Sequence, residues 1–305
     1  METVDIIIPA YHPGTEFEKL LESLCRQSYE VTKILVMNTE KKFWNPEWEA
    51  KFPKVEVTHL SKAEFDHGGT RRAGAKLSDA DIMVFMTQDA VPADENLIRN
   101  LIRPLQEEPK VGAAYARQLP REDCAYLEKY TRSFNYPAQS SVKWEKDTGV
   151  YGIKTYFCSN VCAAYKKSIY EEVGGFVNKA IFNEDMIYAG TMAKQGYGIA
   201  YAADACVIHS HNYSCRQQFH RNFDLGVSHA DHPEIFQGIP SEGEGLRLVK
   251  KSFAYLLKTG HVWLIPKLIG QSGFKYIGYF LGKRYQKLSK GMILFCTMNP
   301  EYWKK

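Results

Sequence analysis

Over the first 120 residues, short apolar runs alternate with amphipathic stretches. Val4–Ile8 is an apolar-rich run that ends at Pro9 and predicts a buried strand; Lys33–Met37, Val55–Leu60, Ile82–Met86 and Val111–Ala114 repeat the pattern. Between these runs, Glu16–Gln27 places Phe17, Leu20, Leu21 and Leu24 at helical spacing, and Thr70–Leu77 and Asn96–Leu105 also predict helices. Strands alternating with helices predict an α/β fold, a doubly wound and mostly parallel sheet. Beyond about residue 118 the rhythm changes. Residues 122–135 read as helix, 138–153 as loop and 155–165 as strand. A turn at Val173-Gly174-Gly175-Phe176 precedes a helix over Glu184–Gln195. Two short strands around Asp204 lead to His209-Ser210-His211, and a helix starts at about Cys215 and runs to Gly226. Neither a repeat nor a low-complexity segment interrupts this order.

The 305 residues are 45% apolar and 24% charged, as in a globular protein. The net charge of +4 conceals an asymmetry. Leu246–Lys305 carries 12 Lys/Arg against the single acid Glu301, a net of +11, whereas residues 1–245 carry 27 against 34, a net of −7. An acidic body with a basic tail requires a separate account of the tail. The seven cysteines form no CxxC pair, and Cys158 and Cys162 lack a second pair to complete a zinc site, so reduced structural thiols in a cytosolic protein are expected. The N-terminal residues lack the basic and apolar regions of a signal peptide, and no run of 18 apolar residues predicts a membrane span.

The densest chemistry lies between Phe65 and Pro92. A Gly-rich turn, a short helix and the strand Ile82–Met86 lead to Thr87-Gln88-Asp89-Ala90. In open α/β sheets, ligands bind outside the carboxyl ends of the strands. A lone carboxylate there suits a divalent cation that takes its other ligands from a substrate phosphate; the same residue could equally serve as a turn or helix cap. His209 and His211 are two apart, so on an extended strand both face one side, and either could join such a cation. Neither GxGxxG nor GxxxxGK[ST] occurs, which argues against a dinucleotide Rossmann site and a P-loop.

Taken in order, Ile-Pro-Ala-Tyr after the first strand, Asn38 after the second, His67-Gly68-Gly69-Thr70-Arg71, Thr87-Gln88-Asp89-Ala90, Gly174-Gly175-Phe176, Asn183-Glu184-Asp185 and His209-Ser210-His211 resemble the family 2 glycosyltransferases of the GT-A fold, over roughly residues 3–228. Within that family, FDHGGTRR…FMTQDAVP and CSNVCAAY…GGF…NEDM most resemble bacterial rhamnosyltransferases of polysaccharide assembly, which use dTDP-β-L-rhamnose. The resemblance implies that Asp89 is the last carboxylate of a DxD motif holding Mg²⁺ or Mn²⁺ on the donor diphosphate, with Thr87 in place of the first Asp. It makes Asp185 the catalytic base, with Glu184 its neighbour on the acceptor side, and supplies a metal ligand from His209 or His211. Pro9, Ala10, Tyr11 and Asn38 would form the base pocket, Asn38 standing where the family usually has Asp. His67, Gly68, Thr70, Arg71 and Gln88 would lie near ribose and phosphates, Arg221 would help hold the diphosphate, and Ser159 and Asn160 would contact sugar. For Arg71 and Arg72 a solvated helix face is the competing reading.

In the tail, Gly245–Tyr255 and Phe274–Lys290 mix aromatics and lysines at roughly helical spacing, which predicts basic amphipathic helices suited to an anionic membrane surface. A homo-oligomerisation surface and packing on the acidic body compete with that reading. The aromatics are spaced for a helix face rather than a stacking platform, which disfavours nucleic acid. The expectation is therefore a GT-A domain over 1–228 and a membrane-associating helical region over 229–305. The enzyme would be an inverting, metal-dependent glycosyltransferase, peripheral on the cytoplasmic face of the membrane, moving L-rhamnose to a lipid-linked saccharide. A UDP-hexose donor is the nearest alternative, and a non-catalytic nucleotide-binding scaffold the alternative of a different class.

Overall fold

A computed structural model describes residues 1–238 and 242–304. In chain order its strands and α-helices are β1 (Val4–Tyr11), α1 (Thr15–Cys25), β2 (Lys33–Thr39), α2 (Glu47–Lys51), β3 (Val55–Leu60), α3 (His67–Leu77), β4 (Ile82–Met86), β5 (Val91–Pro92), α4 (Leu97–Glu107) and β6 (Val111–Leu119). Then come α5 (Tyr126–Asn135), β7 (Ser141–Lys143), α6 (Thr148–Tyr151), β8 (Cys162–Lys166), α7 (Lys167–Val173), α8 (Glu184–Lys194), β9 (Gly198–Ile208), α9 (Cys215–Asp231), α10 (Pro233–Phe236), α11 (Glu242–Lys258), α12 (Ile265–Gly282) and α13 (Lys290–Cys296). The chain divides into two compact units. The first comprises Met1–Leu119, Tyr136–Lys179 and Glu184–His209; the second comprises Pro120–Asn135, Ala180–Asn183 and Ser210–Lys305.

The first unit is built on one sheet in the order β3-β2-β1-β4-β8-β6-β9-β5, with β7 also paired to β9. β3, β2, β1 and β4 run parallel, β8 is antiparallel to both neighbours, and β6 and β9 are parallel again. The middle strands are apolar at successive positions because helices cover both faces. Ile6 and Ile8 join the core with Leu20, Leu24, Ile98 and Leu101 of α1 and α4. Ile7 points the other way, where α3 approaches so closely that a Cβ on Gly74 would stand 2.5 Å from its Cγ2.

All five expected strands of the first half form. Later, the structure revises three local expectations. Within the stretch read as loop, Ser141–Lys143 forms a short strand on β9, too brief for a periodic signal. Of the expected strand 155–165, only Cys162–Lys166 is strand, and Gly152–Tyr156 is a 3-10 helix. The two short strands around Asp204 are one strand, β9, whose register against β6 slips between Ala202 and Cys206; there Ala203 N–H donates to Ser140 Oγ at 2.9 Å.

The second unit is helical. Ser214 and Gln217 make a capping box at the start of α9, Ser214 Oγ accepting from Gln217 N–H and Gln217 Oε1 accepting from Ser214 N–H. This helix continues through the boundary drawn from sequence at 228/229. α9 and α12 touch backbone to backbone. A Cβ on Gly226 would lie 2.5 Å from Tyr279 O, and Cβ atoms on Gly278 and Gly282 would strike the carbonyls of Phe219 and Phe223. Gly278→Ala should therefore lower stability by about 1–3 kcal/mol, because a backbone carbonyl cannot turn aside as a side chain would. Alanine's helix-propensity advantage of about 1 kcal/mol offsets part of this. A lower urea midpoint at unchanged slope is the expected readout, and an unchanged midpoint would show that the helices can separate freely.

Elsewhere in this unit Tyr255 of α11 stacks on Tyr130 of α5, ring centroids 4.2 Å apart. Outward, α11 and α12 expose apolar side chains among their basic ones. Leu246, Phe253 and Leu257 are exposed on α11, Ile269, Tyr276, Ile277 and Phe280 on α12, and Val262 and the two-thirds-exposed Trp263 between them. Among the described residues no helix is long and apolar enough to cross a membrane.

Candidate active site

In the first unit, β4 delivers the chain to the Thr87–Ala90 turn, closed by Ala90 N–H donating to Thr87 O at 3.2 Å. Asp89 tops this turn with its side chain 39% exposed. The two-residue strand β5 follows rather than a helix, so a helix-cap role for Asp89 does not apply. His209 comes directly after β9 and is buried; its Nε2 lies 3.5 Å from Asp89 Oδ2. On the far side of the ring, Nδ1 is 3.1 Å from Gln118 Oε1, and Gln118 Nε2 donates to Ser159 Oγ at 3.1 Å. Because the amide NH₂ is committed to Ser159, Oε1 is the atom that faces Nδ1. With Nδ1 on Gln118 and Nε2 toward Asp89, the ring is oriented as a metal-ligating histidine is by its outer partner. Asp89 and His209 bring one carboxylate and one imidazole together in the first unit, and His211, two residues further along the chain, belongs to the second.

A second cluster forms where α8 begins. Asp185 accepts from Asn160 N–H at 2.9 Å and from Met186 N–H at 2.8 Å, one oxygen to each. Burial raises its pKa to about 7, the Glu184 charge adds to the rise, and the two N–H donors and Arg71 oppose it. Glu184 Oε1 accepts from Asn160 Nδ2 and pairs with Arg71 Nη1, at 3.1 Å each. Arg71 is thus not on a solvated helix face: it is buried, its guanidinium held by Glu184 and by His67 O. Arg72 donates to Gly174 O and Phe176 O at 2.6 and 2.7 Å, fixing a turn whose Gly174 and Gly175 take φ of 99° and 70°. Asn160 Oδ1 accepts from Tyr165 OH, so Ser159 and Asn160, expected as sugar contacts, spend their side chains on internal hydrogen bonds.

The expected base pocket lies at the ends of β1 and β2. Gln88 pairs with the backbone of Tyr11 in both directions, Oε1 accepting from its N–H at 2.7 Å and Nε2 donating to its carbonyl at 3.0 Å, so it ties the β1 and β4 loops together. Pro9 and Ala10 close β1, and the half-exposed Tyr11 ring stands edge-on to Phe43. Asn38 is buried; its Nδ2 meets Glu40 O and His59 Nδ1, while its Oδ1 has no partner among the described residues. His12 and Glu40, one residue past the ends of β1 and β2, both take positive φ. Strained non-glycine backbone of this kind clusters at ligand sites. His67, Gly68 and Thr70 occupy the first turn of α3, capped by Asp66, which accepts from Gly69 N–H at 2.7 Å.

In the second unit, Arg221 stacks its guanidinium 4.5 Å from the Phe182 ring centroid. Sequence reasoning missed Gln118 as the partner of His209 and the Tyr165–Asn160–Asp185 chain. No local signal marks Gln118, which follows the equally polar Arg117 near the end of β6. All seven cysteines are free.

Residues 5–174 match the family model for glycosyl transferase family 2. O-antigen chain rhamnosyltransferase RfbN of Salmonella typhimurium is 38% identical over 98% of this chain and 96% of its own. O-antigen chain rhamnosyltransferase WbaN of Salmonella anatum is 36% identical over 99% and 96%. Among solved structures, mannosyltransferase PcManGT from Pyrobaculum calidifontis, in complex with GDP-Man and Mn²⁺, superposes with a TM-score of 0.65 at 16% identity, over 92% of this chain and 87% of its own. S. aureus TarS 1–349 in complex with UDP-GlcNAc gives 0.52 at 11%, over 93% and 91%. At such identities these structures speak to the fold alone.

Proposed function

The chain belongs to glycosyltransferase family 2, and on that footing we propose that it transfers L-rhamnose from dTDP-β-L-rhamnose to a lipid-linked saccharide in bacterial polysaccharide synthesis, inverting the donor to an α-linkage. The observation that carries the sugar is the full-length similarity to two rhamnosyltransferases. Support for the chemistry comes from Asp185. A base for a sugar hydroxyl works best with a pKa near the working pH, and burial beside Glu184 raises this carboxyl toward neutrality. Glu184 is a poor second candidate because Arg71 and Asn160 hold it. In this reading Asp185 takes the acceptor proton as the acceptor oxygen displaces the nucleoside diphosphate from the opposite face of the anomeric carbon. Asn160 and Met186 N–H groups fix the carboxylate.

Asp89 and His209, with His211 as third ligand, would hold Mn²⁺ or Mg²⁺; such an ion neutralises charge on the departing diphosphate. Pro9, Ala10 and Tyr11 would face the base, with the unpartnered Asn38 Oδ1 as acceptor for a pyrimidine imide N–H. His67, Gly68 and Thr70 would line the phosphate side and Arg221 would add a cation. Arg71 and Gln88 act in this scheme by positioning Glu184 and Tyr11.

Release of dTDP from dTDP-β-L-rhamnose, measured beside dTDP-glucose, UDP-glucose and UDP-GlcNAc with a membrane extract as acceptor, tests the reading. Turnover of the rhamnose donor alone supports it. Turnover of a UDP-sugar instead overturns the donor, and absence of turnover with every donor favours a scaffold.

The exposed apolar side chains of α11 and α12, in a segment of net charge +11, support attachment to the cytoplasmic leaflet. Each engaged Lys or Arg adds about 1 kcal/mol at an anionic surface, and an exposed Trp suits the headgroup level. The protein should co-sediment with phosphatidylglycerol vesicles and far less with phosphatidylcholine vesicles. Equal sedimentation with both would remove the charge argument.

A further inference from the structure

Within the second unit lies a cavity of about 640 Å³, inside the range of about 300–1,000 Å³ usual for small-molecule sites. Its wall is mainly apolar, drawn from Leu127, Leu225, Leu248, Val249, Leu268 and Tyr279. Two further wall residues, Leu246 and Tyr276, are 57% and 59% exposed and belong to the outward face of α11 and α12. These two side chains thus border both the cavity and that face.

The wall also carries polar side chains, among them Glu128, Asn222, Lys267, Gln271 and Lys275. Lys275 lines the cavity, and no hydrogen-bond or ion-pair partner for its ammonium is found among the described residues. The nearby carboxylate of Glu128 is bound to Arg132, Oε1 to Nε at 2.8 Å. Burial pulls the Lys275 pKa down; Glu128 opposes this and Arg221 adds to it. A partly desolvated ammonium is stabilised when an anion meets it. His211 is also part of the wall.

We infer that this cavity binds the phosphate-terminated aliphatic carrier of the acceptor, its chain along the apolar wall and its phosphate against Lys275. The inference deepens the lipid-linked acceptor of the proposed function and rests on that reading for the carrier's identity. The site itself can be tested without donor or turnover.

Dodecyl phosphate, titrated below its micelle concentration into the full chain by calorimetry, is the probe, with inorganic phosphate and dodecanol as partial ligands. Dodecyl phosphate should bind at least tenfold more tightly than either. Lys275→Met should weaken it at least tenfold and Lys275→Arg should restore most of the affinity, while Val249→Trp, which fills the cavity, should abolish binding. Urea midpoints of the variants report that they remain folded. Three results would overturn the inference: no binding of dodecyl phosphate, inorganic phosphate binding as tightly, or equal affinity in the wild type and folded Lys275→Met. A failed donor assay would leave this titration standing, and a failed titration would leave the donor assay standing, so the two readings fail separately.

Discussion

Asp185→Asn lowers kcat by about 10²–10⁴-fold, the contribution general-base groups make, while the affinity for dTDP stays within a few-fold of wild type. The substitution keeps the side chain's shape and one oxygen for the Asn160 or Met186 N–H, so the start of α8 should hold. What disappears is the proton acceptor. In the wild type, kcat should fall below about pH 7, because burial and Glu184 raise the Asp185 pKa to about that value and only the ionised carboxylate accepts a proton. In Asp185→Asn that acid limb should vanish along with the rate. Single-turnover rates from pH 5.5 to 9, with dTDP affinity measured in parallel, check both. A variant that keeps wild-type turnover would sink the assignment of the base.

Asp89→Ala should raise the Mn²⁺ concentration for half-maximal activity by about 10²–10³-fold. Each tenfold corresponds to about 1.4 kcal/mol, and a carboxylate is the strongest protein ligand available here: Thr87 stands where a second one would stand, its Oγ buried and unpartnered among the described residues. Gln118→Leu should move the same titration by about 10–100-fold, the usual cost of losing the outer partner of a ligating histidine. Direct Mn²⁺ binding by paramagnetic resonance, without donor, separates lost affinity from lost chemistry. Wild-type binding in Asp89→Ala would place the ion elsewhere.

The class of fold was legible because β1, β2 and β4 are apolar on both faces, and only a strand sandwiched between helices needs that pattern. Asp89, Asp185 and His209 could be picked out by their places after strands or at a helix start. Their surroundings were less legible. Arg71, Asn160 and Glu184 look like ligand-facing polar residues in one dimension, and only tertiary packing turns them toward one another. Gln118, 91 residues from His209 along the chain, carries no local mark of its role. Strand limits near Asp204 were hidden because the slip against β6 imitates a break between two strands.

The second unit is stitched from three separated segments, and this bears on how a ribosome delivers it. Helix α5 is made early, yet the Tyr255 that stacks on its Tyr130 lies in α11. At ordinary rates of synthesis, roughly a hundred intervening residues amount to a wait of about 5–20 s. Throughout that interval Tyr130 and Leu127 lack the neighbours that α11 and α12 later supply, and are open to chaperones or to mispairing. A premature stop ahead of α11 would make the wait endless, so shortened chains should accumulate as insoluble material or be degraded rather than persist as a trimmed enzyme.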